Sequence, residues 1–275
     1  MVSRVGVSPW SLALAAEARS VYQDSINVQA LLLASVACAS IVSGRPRRDA
    51  RQEPKVHKMT ECAQPTDLEL AALISSKICH DVIGPVGAIY NGLEILDEDD
   101  DAEAKTYALD VIRNVTEQAS ARLQFARFAF GAAGSAGSQI ELATAEQISR
   151  GLMGQGKHSK HKLSWRGLPG QMAKDKVKLL LNLVASAVTA LPRGGEIEVA
   201  ISGSLESPSF VLRCQGTAAR PPQYLSDYVG GGQVPQLDAL SIQAYYTWRL
   251  AAASSMRLDI AKDGADVLLT AKALA

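Results

Sequence analysis

His80 and Asp81 are the residues whose types and spacing could do chemistry, and they lie in the stretch SSKICHDVIGPVGAIYNG at 75–92. A neutral imidazole presents a nucleophilic nitrogen. A neighbouring carboxylate can bias the imidazole tautomer or stabilise the positive charge that develops when this nitrogen attacks phosphorus. No second base, nucleophilic serine or acid pair accompanies the histidine in this stretch. The pattern therefore favours a residue that carries a group between partners that supply the remaining catalytic groups.

His80 is predicted to face water on a helix face that has little bulk. At about 100° per residue, the apolar positions of this helix form one stripe and His80 falls on the opposite side. Glycines, polar side chains and one exposed leucine surround it, and such a face lets a partner approach closely. The residues predicted to contact that partner are Leu73, Ser76, Lys77, Gly84, Gly87 and Asn91. A solvated helical histidine without a role is the alternative.

Two long helices are predicted over residues 61–131. Thr66 is a candidate N-cap, and Glu69 three residues later completes a capping box. Pro85 should bend or loosen the first helix, because it lacks an N–H and crowds the preceding turn. The acidic run at 97–103 forms the turn to the second helix. A lone hairpin leaves one apolar flank uncovered, so we expect a homodimer in which two hairpins form a four-helix bundle.

The character of the sequence changes after a glycine- and serine-rich linker at 132–139. Residues 140–275 contain a buried-looking helix at 175–191, strands at 194–203 and 209–214, and a closing hairpin that turns at 263–264. We expect a mixed domain with mostly antiparallel strands. The predicted fold class is α+β, with an antiparallel helical hairpin followed by an α/β sandwich.

Residues 1–60 contain a short apolar run at 27–44, followed by a basic segment. The run is too short and too interrupted by serine for a membrane span, which needs roughly 20 apolar residues. Three interpretations are open. In the first, the segment is a disordered extension, translated because the start codon is assigned too far upstream and Met59 is the working start. In the second, it forms an amphipathic or core helix. In the third, it is a targeting segment.

Composition and charge exclude some classes of function. Lysine plus arginine and aspartate plus glutamate number 28 each, so no net basic charge attracts nucleic acid. The four cysteines are scattered without a C-x-x-C pair, which argues against a zinc site or a disulfide framework and suits a reducing cytoplasm. The segment KHSKHK at 157–162 is interpreted as a solvated basic loop rather than a metal site, because its lysines would repel a cation.

The segment ICHDVIGPVGAIYNGLEIL resembles the phosphoacceptor helix of bacterial sensor histidine kinases, where an acidic residue follows the histidine and a proline stands five residues on. From about Pro65 onward the chain is similar to the dimeric histidine phosphotransferases of alphaproteobacterial cell-cycle phosphorelays. The resemblance implies that His80 accepts a phosphoryl group, with Asp81 at the family's acidic position. It implies that a hybrid-kinase receiver domain donates the group and that response-regulator receiver domains, which carry Mg²⁺, accept it. Gly84 stands where many kinases have a threonine or asparagine that positions a water for phosphatase action. The resemblance therefore does not imply phosphatase activity.

The second domain resembles a degenerate form of the ATP-binding domain of those kinases, the Bergerat fold. In the stretch similar to the asparagine box, Ser186 takes the place of the magnesium-coordinating asparagine and Thr189 that of a lysine. Cys214 replaces the aspartate that contacts adenine, and Ala218 replaces a loop glycine. The resemblance therefore implies no cofactor of its own, no ATP binding and no autokinase activity.

Two other functions compete with a phosphotransferase that uses His80. A dimeric scaffold could bind receiver domains without any covalent step, and it would keep the bare helix face without needing the histidine. A working histidine kinase with a diverged nucleotide site is disfavoured by the replacements at 186, 214 and 218. Transfer of label to the wild type but not to His80→Ala separates the phosphotransferase from the scaffold.

Overall fold

The computed structural model describes residues 64–98, 101–131, 139–154, 159–231 and 237–274. The described part of Glu61–Ala275 belongs to one compact unit. Residues 1–60, nearly all of the predicted linker and the start of the KHSKHK segment lie outside the described residues. The interpretations of those segments, and the predicted domain boundaries, stay predictions.

Two long antiparallel helices begin the described chain: α1 spans Asp67–Glu98 and α2 spans Ala102–Ala129. The predicted capping box precedes α1. The backbone N–H of Thr66 donates to Glu69 Oε2 at 2.8 Å, and the N–H of Glu69 donates to the Thr66 hydroxyl at 3.3 Å. Asp101 caps α2 through its carboxylate. Side chains close in sequence therefore cap both helices at their N-termini. The turn between the helices is shorter than the predicted 97–103, because α1 extends to Glu98 and α2 begins at Ala102.

The two helices pack along a face of α1 that carries Pro85 and Gly92, the two fully buried residues of this helix. A Cβ added at Gly92 would lie 2.6 Å from Ile112 Cγ1 on α2, so glycine at this position lets the two helices approach closely without moving the Ile112 side chain. α1 continues through Pro85 as a single helix. The predicted bend or loosening at Pro85 stays a prediction.

The remaining elements build an α/β domain. They are β1 Gln139–Glu141, α3 Leu142–Met153, β2 His161–Arg166, β3 Gln171–Ala173, α4 Lys174–Ala190, β4 Gly195–Gly203, β5 Pro208–Gln215, α5 Gln223–Val229, α6 Ile242–Ala253, β6 Met256–Asp263 and β7 Asp266–Ala273. Five strands form one sheet in the order β2-β4-β5-β7-β6, in which only the β2–β4 pair is parallel. β1 and β3 form a separate antiparallel pair. The predicted α+β class, a helical hairpin followed by an α/β domain, is confirmed.

The core lies between one face of the sheet and the helices that pack on it. Alternate residues of the central strands are buried, as the period of two in a strand requires. They include Ile197 and Val199 of β4, Phe210 and Leu212 of β5, and Val267 and Leu269 of β7. α4 is buried along most of its length. The domain is therefore a two-layer sandwich of helices on a sheet.

Asn182 of α4 joins the hairpin to this domain. Its side chain is fully buried, and its Nδ2 donates to the carbonyl of Ala129 at 3.2 Å and to that of Lys178 at 2.9 Å. Ala129 is the last residue of α2. At the other side of the junction, Leu70 and Ile74 in the first turns of α1 pack against the core of the domain.

The second half of the KHSKHK segment differs from the predicted solvated loop. His161 and Lys162 begin β2 and pair with β4. His161 is half-buried, and its Nε2 lies 3.0 Å from the carbonyl oxygen of Leu191. The interpretation is wrong for these two residues, because pairing with a neighbouring strand outweighs the local charge.

Candidate functional site

His80 lies on an exposed and nearly bare face of α1. Its side chain is 62% exposed. Gly84 stands one helical turn further on, and Gly87 follows on the same side. A Cβ added at either glycine would meet no atom within 4 Å. The predicted orientation toward water is confirmed, and the surface around the imidazole is open to a partner.

The other predicted contact residues divide into two groups. Ser76 and Asn91 are exposed and lie on the same face of α1 as His80, Ser76 one turn before it and Asn91 about three turns after it. Leu73 differs from the expected exposed leucine, because it is half-buried and packs against the core of the α/β domain. The side chain of Lys77 is only 14% exposed, since it turns toward Asp81.

Asp81 connects Lys77 to His80. Its Oδ2 lies 2.5 Å from Lys77 Nζ, and its Oδ1 lies 3.3 Å from His80 Nδ1. Residues four apart in a helix are neighbours, which explains the ion pair with Lys77. The ion pair holds the carboxylate in place, and the second oxygen is thereby fixed beside the imidazole.

This contact differentiates the two nitrogens of the imidazole. A carboxylate accepts hydrogen bonds, so the contact assigns the proton of neutral His80 to Nδ1. Nε2 then carries the lone pair and has no hydrogen-bond partner within the described ranges. The accessible nitrogen is therefore the nucleophilic one.

Arg122 is a residue of this site that the sequence reasoning missed. It lies on α2, is half-buried, and donates from Nη1 to the backbone carbonyl of Asp81 at 2.6 Å. The regular helical donor to that carbonyl would be the N–H of residue 85, which is Pro85 and has none. The missing donor could be read from the sequence, whereas its replacement 41 residues along the chain could not.

The hairpin also exposes a second, apolar surface. We call it the apolar flank, and it comprises Ile83, Val86, Tyr90, Leu93, Leu109 and Leu123, each at least 39% exposed. On α1 the flank lies about 100° around the helix from His80. Within the described part of the chain, α1 is the one helix that is long and apolar enough, by length and composition alone, to cross a membrane.

The positions at which the resemblance implies replaced nucleotide ligands make other contacts in this domain. The Ser186 hydroxyl donates to the carbonyl of Asn182 at 2.9 Å, and the Thr189 hydroxyl donates to the carbonyl of Ser186 at 2.7 Å. Cys214 is fully buried on β5, and this burial raises the pKa of its thiol to about 12. The thiol of Cys214 is therefore neutral and buried.

Known proteins are similar to this chain in sequence and in fold. The family model described as the histidine phosphotransferase C-terminal domain matches residues 142–266. The protein phosphotransferase ChpT of Brucella abortus (strain 2308) is 42% identical over 206 residues, which cover 74% of this chain and 96% of that protein. A solved bacterial phosphotransferase is 39% identical, covers 76% of this chain and 98% of its own, and superposes with a TM-score of 0.69. The histidine kinase AdeS of Acinetobacter baumannii is 10% identical over 70% of this chain and 96% of its own, with a TM-score of 0.38.

The helical hairpin with its exposed histidine, the α/β domain that follows, and these relatives together define a histidine phosphotransferase of two-component phosphorelays. Within that class, the chain belongs to the ChpT family of protein phosphotransferases.

Proposed function

We propose that His80 takes a phosphoryl group from the receiver domain of a hybrid histidine kinase and passes it to the receiver domains of response regulators. The observation that carries this proposal is the imidazole, which stands 62% exposed on a helix face whose neighbours Gly84 and Gly87 leave open space. Membership of the ChpT family supports a cytoplasmic relay in cell-cycle signalling.

The proposed transfer needs only one nucleophile from this chain. His80 Nε2 attacks the phosphorus of an aspartyl phosphate, so that a P–N bond forms while the P–O bond breaks and the carboxylate leaves with its electron pair. The Nδ1 proton stays on the ring, where the Asp81 carboxylate at 3.3 Å stabilises the positive charge. Attack by the aspartate of a second receiver reverses these steps and restores the neutral imidazole. The receivers supply Mg²⁺ for the phosphoryl oxygens.

The receiver docks, in this proposal, on the face formed by Ser76, Gly84, Gly87 and Asn91. These residues are exposed and carry little bulk around His80. Lys77 acts indirectly, since its ion pair orients Asp81. Leu73 anchors the first turns of α1 by packing against the core of the α/β domain.

A second copy of the chain covers the apolar flank in the proposed homodimer. Exposed apolar surface of this extent on adjacent helices marks an association face. Pairing two antiparallel hairpins through it produces a four-helix bundle with a continuous core. The histidine face lies about 100° away on α1, so both copies of His80 stay accessible in the dimer.

We also propose that the α/β domain binds no ATP and that the protein has no autokinase activity. The hydroxyls of Ser186 and Thr189 are occupied by helix carbonyls, and neither position offers the family's asparagine or lysine. Cys214 offers no charge to the adenine amine, since burial holds its thiol neutral. The phosphoryl group must then come from a partner.

Transfer from a phosphorylated receiver tests this function. Radiolabelled receiver is mixed with wild-type protein, with His80→Gln, and with His161→Gln as a control at the second described histidine. We expect label on the wild type and on His161→Gln, stable to alkali and labile to acid as a phosphoimidazole is, and none on His80→Gln. Label retained by His80→Gln removes His80 as acceptor, and receiver binding without label on the wild type favours the scaffold.

A further inference from the structure

We propose that Arg122 is a positioning residue for His80. Its guanidinium replaces the hydrogen bond that Pro85 cannot give to the Asp81 carbonyl, and it thereby fixes the helical turn that carries the histidine. The consequence for phosphoryl transfer rests on the proposed function of His80, whereas the effect on the turn does not.

The argument begins with the backbone hydrogen bonds of α1. The carbonyl of residue i accepts from the N–H of residue i+4, so the carbonyl of Asp81 depends on residue 85. Pro85 has no N–H, and its ring crowds that carbonyl. A half-buried carbonyl without a donor destabilises the turn to which it belongs. Arg122 Nη1 supplies a donor at 2.6 Å, and it comes from the other helix of the hairpin.

Arg122 and Lys77 bind the backbone carbonyl and the side-chain carboxylate of Asp81, respectively. Lys77 binds the Asp81 carboxylate at 2.5 Å, and Arg122 binds the Asp81 carbonyl. Asp81 directly follows His80 in the chain and contacts its Nδ1. The backbone of the nucleophile is therefore tied to α2 through one guanidinium, even though α1 lacks a helical hydrogen bond at this point.

Positioning of this kind affects the rate of phosphoryl transfer more than it affects the affinity for the receiver. An error of about 1 Å in a reacting group can lower a rate by about 10²-fold. We expect Arg122→Met to lower the transfer rate at saturating receiver by about 10- to 100-fold. The half-saturating receiver concentration should change little, because the docking face around Gly84 and Gly87 is untouched.

A second substitution separates this role from a general effect of charge. Pro85→Ala returns an N–H to residue 85, which can donate to the Asp81 carbonyl as in a regular helix. The double variant Pro85→Ala/Arg122→Met should therefore recover most of the lost rate, although its guanidinium is still absent. Arg122→Lys, which keeps one cationic donor, should retain an intermediate rate. Arg113→Met is the control, because this exposed arginine of α2 pairs with Asp110 on its own helix.

Hydrogen exchange on the full-length protein tests the turn independently of phosphate. The backbone N–H groups of residues 81–84 and 86–88 should exchange faster in Arg122→Met than in the wild type or Arg113→Met, and the double variant should restore their protection. Equal exchange in Arg122→Met and the wild type overturns the proposal. A rate loss of equal size in the Pro85→Ala background overturns it too. Faster exchange together with a wild type that accepts no phosphoryl group would refute the proposed function and leave the role of Arg122 in the turn standing.

Discussion

Gly84→Ala should change stability and transfer in opposite directions. A Cβ at this position meets no atom within 4 Å, so the substitution gains helix propensity without a clash. Alanine is better than glycine in a helix interior by about 0.8–1.0 kcal/mol. For a chain of this size, a gain of about 1 kcal/mol raises the melting temperature by roughly 2–4 °C.

The same position lies one turn from His80, where the docked receiver must approach. A methyl group there, and more so the longer side chain of Gly84→Gln, occupies space that the receiver would fill. Overpacking of a close interface costs about 1–3 kcal/mol, which corresponds to about 5- to 150-fold in affinity. We expect Gly84→Ala near the lower end of this range and Gly84→Gln near the upper end.

Gly92→Ala is the matched control on the same helix. Its Cβ would lie 2.6 Å from Ile112 Cγ1 in the buried contact between α1 and α2. The overpacking cost of about 1–3 kcal/mol offsets the propensity gain of about 1 kcal/mol, so stability should stay level or fall by up to about 2 kcal/mol. Receiver docking should be unaffected, because Gly92 is buried away from the histidine face.

Thermal denaturation followed by circular dichroism measures the change in stability. Transfer rates over a range of receiver concentrations measure the change in receiver affinity. A Gly84→Gln protein with the wild-type half-saturating concentration would show that the receiver docks elsewhere. A Gly84→Ala protein that melts below the wild type would show that this face of α1 is already covered in the folded protein.

Three further predictions concern the dimer, the nucleotide and the thiols. Val86→Glu places a charge in the apolar flank and should yield a monomer by light scattering, whereas Tyr107→Glu, an exposed position outside the flank, should stay dimeric. Titration with labelled ATP and Mg²⁺ should not saturate, and micromolar binding would contradict the loss of the nucleotide site. At pH 8 a maleimide should modify exposed Cys79 in the native protein but reach Cys214 only after denaturation, because burial raises the pKa of the Cys214 thiol to about 12. Peptide mass spectrometry distinguishes the two sites.

The parts of the fold and site that could be predicted follow from short-range rules. The capping box needs only Thr66 and Glu69, three residues apart, and it begins α1 as expected. The orientation of His80 needs only the angle per residue of a helix. The closing hairpin needs the Asp263-Gly264 pair, where glycine adopts a φ of 62° in the turn between β6 and β7.

The parts that could not be predicted depend on contacts between distant segments. Leu73 is half-buried because the α/β domain packs against it, which a single helix cannot reveal. His161 lies in a strand because β4 pairs with it, although its neighbours in sequence are charged. Arg122 reaches Asp81 only in the observed register of α1 against α2. The sequence shows that Pro85 leaves a carbonyl without a donor, but it does not name the donor.

The hydrogen bond from Asn182 to the end of α2 has a consequence for the entropy of receiver binding. A domain that carried nucleotide to His80 would have to move relative to the hairpin, so that the reacting atoms could meet. Here a buried amide fixes the last residue of α2 to α4. For a partner that touches both the hairpin and the α/β domain, this hydrogen bond lowers the entropic cost of ordering the two parts on binding.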